Sequence, residues 1–332
     1  MPGIDSRAIT ANLVAVLAAV TNGQPRVLTT RDACALPSGP LEQSHRSLQA
    51  GLRAWVEQQT HHPLGYVEQL YTFADRDRVN EQGGECSVIS ISYLGLTREM
   101  PTDEATDAGW QNWYRYFPWE DHRAGVPDVI PQVIAPALQA WAQNADADIR
   151  AARQERISLT FGLYDSTWNE DMVLQRYELL YEAGLVPEAQ RARERVGNDA
   201  RATSGSGAAS HEDLAAAQSM LGDTPMQYDH RRILATGIAR LRAKIKYRAV
   251  VFELMPADFT LLQLQQTVEA LSGRCLHKQN FRRLMEQQEL VEETGELRAG
   301  TAGRPAKLFR FRRGVLKERA IAGSKLPLAR SD

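Results

Sequence analysis

Cysteine is the scarcest chemistry in this chain: three occur in 332 residues, Cys34, Cys86 and Cys275, far apart and without paired spacing. That excludes a disulfide framework and a thiolate zinc site, reads each thiol as a small buried hydrophobe, and fits a reducing cytoplasm. Long apolar runs are also missing, since nothing approaches the roughly 20 residues that a membrane span requires. The best candidate, Leu13 to Val20, is too short and lacks a basic leader and a cleavage site, so neither a signal peptide nor a membrane partner is expected. There is no internal repeat. A hydrophobic fraction of 43% and a charged fraction of 24% describe an ordinary globular protein, long enough for two domains.

Net charge is nearly absent too, at -2, but the two halves differ. From Tyr228 to the end there are 21 Lys and Arg against 11 Asp and Glu; the preceding 227 residues hold 18 against 30. An acidic front half joined to a basic tail points to nucleic acid as a partner of the C-terminal part only, against the plainer reading of a solvated basic surface.

Along the front half, two apolar runs flank "TNGQ", whose Asn22-Gly23 pair signals a hairpin. "LPSG" is a turn, and Leu48, Leu52, Trp55 and Val56 then recur at helical spacing, predicting an amphipathic helix that ends before His61. "YVEQLYTF" and "SVISISYLGLT" read as two further strands. Strand pair, turn, helix and strands describe the start of an α/β sandwich. The aromatic stretch "WQNWYRYFPWEDH" is read as packing, with ligand stacking as its rival. Pro136 to about Arg195 reads as helical, residues 197–213 as a polar small-residue linker, and "HRRILATGIARLRAKIKY" as a long helix with Ile233, Ile238, Leu241 and Ile245 on one side.

The basic tail unit carries the clearest chemistry. Asp258 or Thr260 caps a helix that Gly273 stops, "HKQNFRRLMEQQ" makes a second helix, and two short strands surround a Gly- and Arg-bearing loop. Helix, turn, basic helix and β-hairpin make a winged helix-turn-helix. On the second helix Phe281, Leu284 and Met285 face inward, while Lys278, Asn280, Arg282 and Arg283 face outward. Arg suits guanine, Asn suits adenine and Lys suits phosphate, so these residues, with Arg304 and Lys307 of the wing, are the candidate contacts to double-stranded DNA. A protein-binding winged helix is the alternative.

"YVEQLYTFADRDR", "YDHRRILATGIARLRAKIKY", "FELMPADFTLLQLQQTVEAL" and "KQNFRRLMEQQELVEETGE…GRPAKLFRF" resemble the Nudix-related transcriptional regulators of NAD metabolism. The chain is most similar to the longer branch that represses NAD biosynthesis operons in alphaproteobacteria. The resemblance implies an α+β protein: a Nudix-like α/β/α sandwich with a helical insertion, followed by a C-terminal winged helix-turn-helix. On that reading the sensor spans residues 8–134 and is completed by a helix at about 226–250. The insertion spans 135–224, the DNA-binding domain 251–316 and a basic tail 317–332. The resemblance also implies a homodimer on a palindromic operator and an effector such as NAD, ADP-ribose or a related nucleotide, with no required cofactor.

Nudix hydrolases carry G-x5-E-x7-R-E-U-x-E-E-x-G-U, with U a bulky apolar residue, and its helix carboxylates hold a divalent metal. Laid on this chain, the first Gly is Gly39 and the Arg is Arg53, but the Glu positions hold His45, Ala54, Glu57 and Gln58, and the closing Gly is Thr60. One helix carboxylate is a poor metal site, so neither a metal nor catalysis is expected; active hydrolysis of a nucleotide diphosphate derivative is the rival reading. Glu57 has a plain role available in an i,i+4 pair with Arg53. Metal-free recognition of a nucleotide diphosphate needs cations and a ring, for which Arg31, Arg53, Phe73, Arg76 and Arg78 are the candidates. Local pairing of Arg76 and Arg78 with Asp75 and Asp77, and a core position for Phe73, are the competing structural readings.

Overall fold

The computed structural model describes residues 9–65, 67–74, 87–102, 106–192, 221, 225–247, 250–298, 305–312 and 314. Arg76, Arg78, Cys86, Arg304, the 197–213 stretch and the 317–332 tail lie outside them. The front half is built on one long strand, β1 (Ile9–Thr21). Asn22 and Gly23 both take positive φ, 52° and 69°, and turn it into antiparallel β2 (Gln24–Thr29), which is the geometry the Asn-Gly pair favours. β1 also pairs antiparallel with β3 (Ser38–Pro40) and parallel with β5 (Ser87–Leu96). With β4 (Val67–Phe73) and β6 (Gly109–Asn112) at the edges, the sheet runs β4-β5-β1-β2-β6.

Alternation along β1 separates two cores, as the period of a strand demands. Leu13, Ala15 and Leu17 pack with Leu52 and Val56 of α1 (Leu48–Thr60). Val14, Val16 and Ala18 face the other way, toward Ile233, Ile238, Leu241 and Ile245 of α5 (His230–Tyr247). The sheet is thus covered by a helix on each face, the α/β/α sandwich that the family resemblance implied. Gly237 lets α5 close on the sheet, because a Cβ there would stand 2.9 Å from Val16 Cγ1.

Between β6 and α5 the described elements are helices joined by turns. A π-turn at Ile130–Ile134 leads into α2 (Ala135–Gln143), followed by α3 (Ala147–Phe161) and α4 (Val173–Ala183). Gly162 and Gly184 stop α3 and α4 in left-handed conformations. These helices share the α5-side core: Tyr177, Leu179 and Leu180 of α4 are buried with Leu234 and Ile238. The aromatic stretch packs there too, with Trp113, Tyr114, Tyr116, Phe117 and Trp119 buried.

The C-terminal unit contains α6 (Leu261–Ser272), α7 (Lys278–Gln287) and a hairpin of β7 (Val291–Arg298) and β8 (Ala306–Phe311). Thr260, not Asp258, caps α6, in a reciprocal capping box with Gln263. Phe259 and Phe309 exchange backbone hydrogen bonds of 2.9 and 2.8 Å, and the Phe311 ring stacks on Phe252 and Phe259.

This unit is docked on the front half through ionic chemistry at zero exposure. The Glu120 carboxylate accepts from Arg176 Nε of α4 at 2.5 Å and from Arg242 Nη1 of α5 at 2.5 Å, and all three side chains are 0% exposed. Arg242 Nε also donates to the Leu271 carbonyl at the end of α6, while Tyr114 Oη donates to the Ala270 carbonyl and the His122 N–H to the Gly273 carbonyl. Gly273 serves twice: it caps α6 at φ 72°, and a Cβ on it would meet the Glu120 carbonyl oxygen at 2.3 Å. Burial alone would raise the Glu120 carboxyl, but the two guanidiniums hold it below the usual carboxylate range.

Two thiol expectations are corrected. Cys275 is exposed and Cys34 half-buried, because both sit in connecting turns rather than in a core.

Removing the shared anion leaves two buried guanidiniums without their partner. Glu120→Gln is expected to lower unfolding free energy by about 3–5 kcal/mol, checked by denaturant titration. A second outcome concerns His230, whose Nδ1 accepts from the Leu36 N–H at 3.0 Å. Burial, then the nearby Arg31 charge, pushes its pKa down to about 3. Folded His230 therefore stays neutral, while the unfolded chain takes up a proton below about 6.5. Stability is complete above that pH and falls as pH drops from 6.5 toward 3. His230→Gln should flatten the decline by about 1.4 kcal/mol per pH unit, read from melts between pH 7 and 5.

Candidate functional site

On α7 the sequence places apolar anchors and polar contacts at different angles. Phe281 and Met285 are buried and Leu284 half-buried, while Lys278, Gln279, Asn280, Arg282 and Arg283 are exposed. At 100° per residue, Gln279 and Arg283 stand opposite Phe281, with Asn280 and Arg282 about a quarter turn to either side. Among the described residues no ion pair engages Lys278, Arg282 or Arg283.

The wing is different. Lys307 Nζ sits 2.8 and 2.9 Å from the two carboxylate oxygens of Glu293, and Arg310 and Arg312 pair with Glu292 and Glu289. Among the described residues the cations of α7 are therefore free for a phosphate or a guanine edge, whereas Lys307 must first exchange a cross-strand carboxylate for DNA.

The box helix keeps its frame without its carboxylates. Gly39 lies under the Trp55 indole, and a Cβ at Gly39 would come within 2.3 Å of that ring. Trp55 Nε1 donates to the Pro40 carbonyl at 2.8 Å, and Gln59 both donates to and accepts from the Ser38 backbone. Leu52 and Val56 are the fully buried positions, while Leu48 and Trp55 are only half-buried, so Trp55 clamps the loop rather than filling the core. His45, at the first Glu position, packs its ring on Gly51, and its Nδ1 accepts from the Glu42 N–H. Ala54, Glu57 and Gln58 are exposed, and among the described residues no three His, Cys, Asp or Glu gather as a metal site.

The pair proposed between Arg53 and Glu57 does not form. Arg53 turns to the loop after α1, donating to the carbonyls of Leu64 and, at 2.6 Å, Gly65. Two fixed backbone carbonyls engage both Nη atoms, whereas exposed Glu57 would form only a solvated helix-surface pair of little net worth.

The described effector candidates do not converge. Phe73 is 5% exposed in the α5-side core with the Arg232 guanidinium 4.8 Å from its ring centroid, so it is not open to a ligand; its place on an inward strand position explains this. Arg53 lies on α1, across the sheet. Arg31 stands by the segment leading into α5, donating to Gln227 Oε1 at 2.8 Å and Tyr228 Oη at 3.3 Å. Tyr228 and Gln227 were missed because they are nearly two hundred residues from Arg31 in sequence. Arg231 and Arg242 did carry a signal, as charges close to the apolar stripe of α5; both are fully buried.

Comparison with known proteins bears on both halves. Residues 251–311 match the model of the NrtR DNA-binding winged helix domain. Over 86 residues the chain is 41% identical to the ADPR responsive transcriptional repressor NtrR of Acinetobacter baylyi, a match covering 26% of this chain and 34% of that protein. The match thus spans about a third of the relative's length. The crystal structure of Shewanella oneidensis NrtR complexed with a 27mer DNA is 17% identical, with a TM-score of 0.51 over 95% of this chain and 99% of that one. A second crystal structure of Shewanella oneidensis NrtR, also 17% identical, gives a TM-score of 0.51 over 95% of this chain and 97% of that one. At that identity the likeness establishes the fold. Residues 251–311 are therefore an NrtR-type winged helix, and the chain as a whole has the fold of the Shewanella protein.

Proposed function

We propose that the chain is a ligand-responsive DNA-binding repressor whose Nudix-like domain senses an NAD-related nucleotide and is not a hydrolase. The observation that carries this reading is the recognition helix α7: a firmly anchored helix whose Lys278, Arg282 and Arg283 are exposed and engage no ion pair among the described residues. Such a surface suits the major groove, with Asn280 available to adenine and the arginines to guanine or phosphate. Lys307, released from Glu293, and Arg304 complete the proposed contacts from the wing.

ADP-ribose is the effector best supported, because the Acinetobacter relative is described as an ADPR responsive transcriptional repressor. NAD and related nucleotides remain in the proposed class through the family resemblance. The same resemblance supports a homodimer on a palindromic operator and NAD biosynthesis genes as targets. Against hydrolysis stands the exposed helix face of Ala54, Glu57 and Gln58, a single carboxylate where the enzymes hold a metal.

Arg282→Ala with Arg283→Ala is expected to weaken duplex binding at least tenfold in gel-shift titrations. It should also reduce the slope of log affinity against log salt by about 2, one for each lost phosphate contact. An unchanged affinity and slope would overturn the DNA-binding assignment. Incubating the wild-type chain with ADP-ribose and Mg²⁺ should release no AMP above the protein-free rate, followed by chromatography; clear turnover would restore the enzyme reading.

A further inference from the structure

Three consecutive non-glycine residues, Arg31, Asp32 and Ala33, hold positive φ of 54°, 53° and 68° in the turn from β2 to β3. A fourth, Tyr228 at φ 53°, lies against them. Left-handed backbone is unfavourable for side-chain-bearing residues and persists only where the surroundings over-determine it. Here they do. The Arg31 N–H donates to Asp107 at 2.9 Å, Tyr116 Oη donates to the Ala33 carbonyl at 2.6 Å, and the Gln227 N–H donates to the Cys34 carbonyl at 2.6 Å. This strained turn presents outward the exposed Asp32 and, beside it, the Arg31 guanidinium. Its side-chain hydrogen bonds go to neutral acceptors, Gln227 Oε1 and Tyr228 Oη, and it lies 6.0 Å from the half-buried Tyr228 ring. A guanidinium balanced by an amide and a phenol keeps its charge available for a bidentate anion, with an aromatic ring beside it.

We propose that Arg31 and Tyr228 form an anion-and-ring subsite that takes the pyrophosphate of a nucleoside diphosphate such as ADP-ribose, and that its occupancy acts on α5. The proposal rests on the reading of the chain as nucleotide-responsive and adds the place where the nucleotide is held. Gln227 and Tyr228 immediately precede α5, so a phosphate that draws Arg31 away from them loosens the anchorage of that helix at its start. The 18 residues of α5 extend about 27 Å. Toward their far end Arg242 holds both Glu120 and the Leu271 carbonyl of α6. The helix therefore joins the proposed subsite directly to the DNA-reading unit, a two-ended element of the kind that can couple two ligands.

The test is isothermal titration of the full chain with ADP-ribose, comparing wild type with Arg31→Lys, Arg31→Gln, Arg31→Ala and Tyr228→Leu, each first checked for a melting temperature near wild type. Arg31→Gln and Arg31→Ala should weaken binding at least tenfold, Arg31→Lys should weaken it by only a few fold because it keeps the charge but loses the fork, and Tyr228→Leu should weaken it severalfold. The Lys and Gln variants separate charge from fold, because both are flexible and polar and only one is cationic. Equal affinity for those two, with wild type binding normally, overturns the subsite and leaves the nucleotide-responsive reading standing. A wild type that takes up neither ADP-ribose nor NAD overturns both.

Discussion

The Glu120 carboxylate is the point on which the architecture turns. It follows the buried aromatics behind β6, accepts from Arg176 of α4 and Arg242 of α5, and lies with its backbone against Gly273 at the end of α6. One anion thus ties the sheet domain, the helical segment and the winged helix together. A buried ion pair of this kind adds little stability compared with good apolar packing, but losing one partner is costly, so it fixes arrangement more than it adds strength. Its neighbours repeat the theme: Glu188 with Arg231, and Glu170 with Lys246 and Arg274. These charged groups are set into a continuous apolar core, in which Leu264, Val268 and Leu271 of α6 are buried in the same cluster as Val16 and Val27 of the sheet.

That choice of chemistry bears on the proposed regulation. Ionic contacts have directional geometry and can exchange partners, so a small displacement of α5 has discrete alternatives. The wing shows the same economy: Lys307 is held by Glu293 in the chain alone, while α7 keeps its cations uncommitted among the described residues.

Much of this was legible in the sequence, for identifiable reasons. Asn22-Gly23 allows few conformations, so the β1–β2 hairpin could be placed from two residues. The apolar stripe of α5 read correctly, and that of α1 in its Leu52 and Val56 half, because those helices cover a sheet and bury one face each. The winged-helix elements declared themselves through caps, with Thr260 and Gln263 at one end of α6 and Gly273 at the other. What stayed hidden depends on long-range pairing. Nothing local to Glu120 points to Arg176 or Arg242, and Arg31 meets Tyr228 only because β2 and the start of α5 converge. Arg53 and Glu57 had the right spacing to pair, yet the loop carbonyls after α1 compete better, which periodicity cannot foresee. Phe73 alternated correctly as a core residue, and it is its proposed ligand role that the buried position removes.

On the proposed reading, nucleotide binding and DNA binding are coupled in one chain. Coupling of this kind is reciprocal and commonly changes affinity by about 5- to 150-fold. The direct measurement is fluorescence anisotropy of a duplex that the protein itself has selected from a random pool, titrated at fixed salt with and without saturating ADP-ribose. The account predicts a change in Kd of at least about fivefold, in either direction. An identical Kd in the presence of ADP-ribose that is demonstrably bound would contradict it.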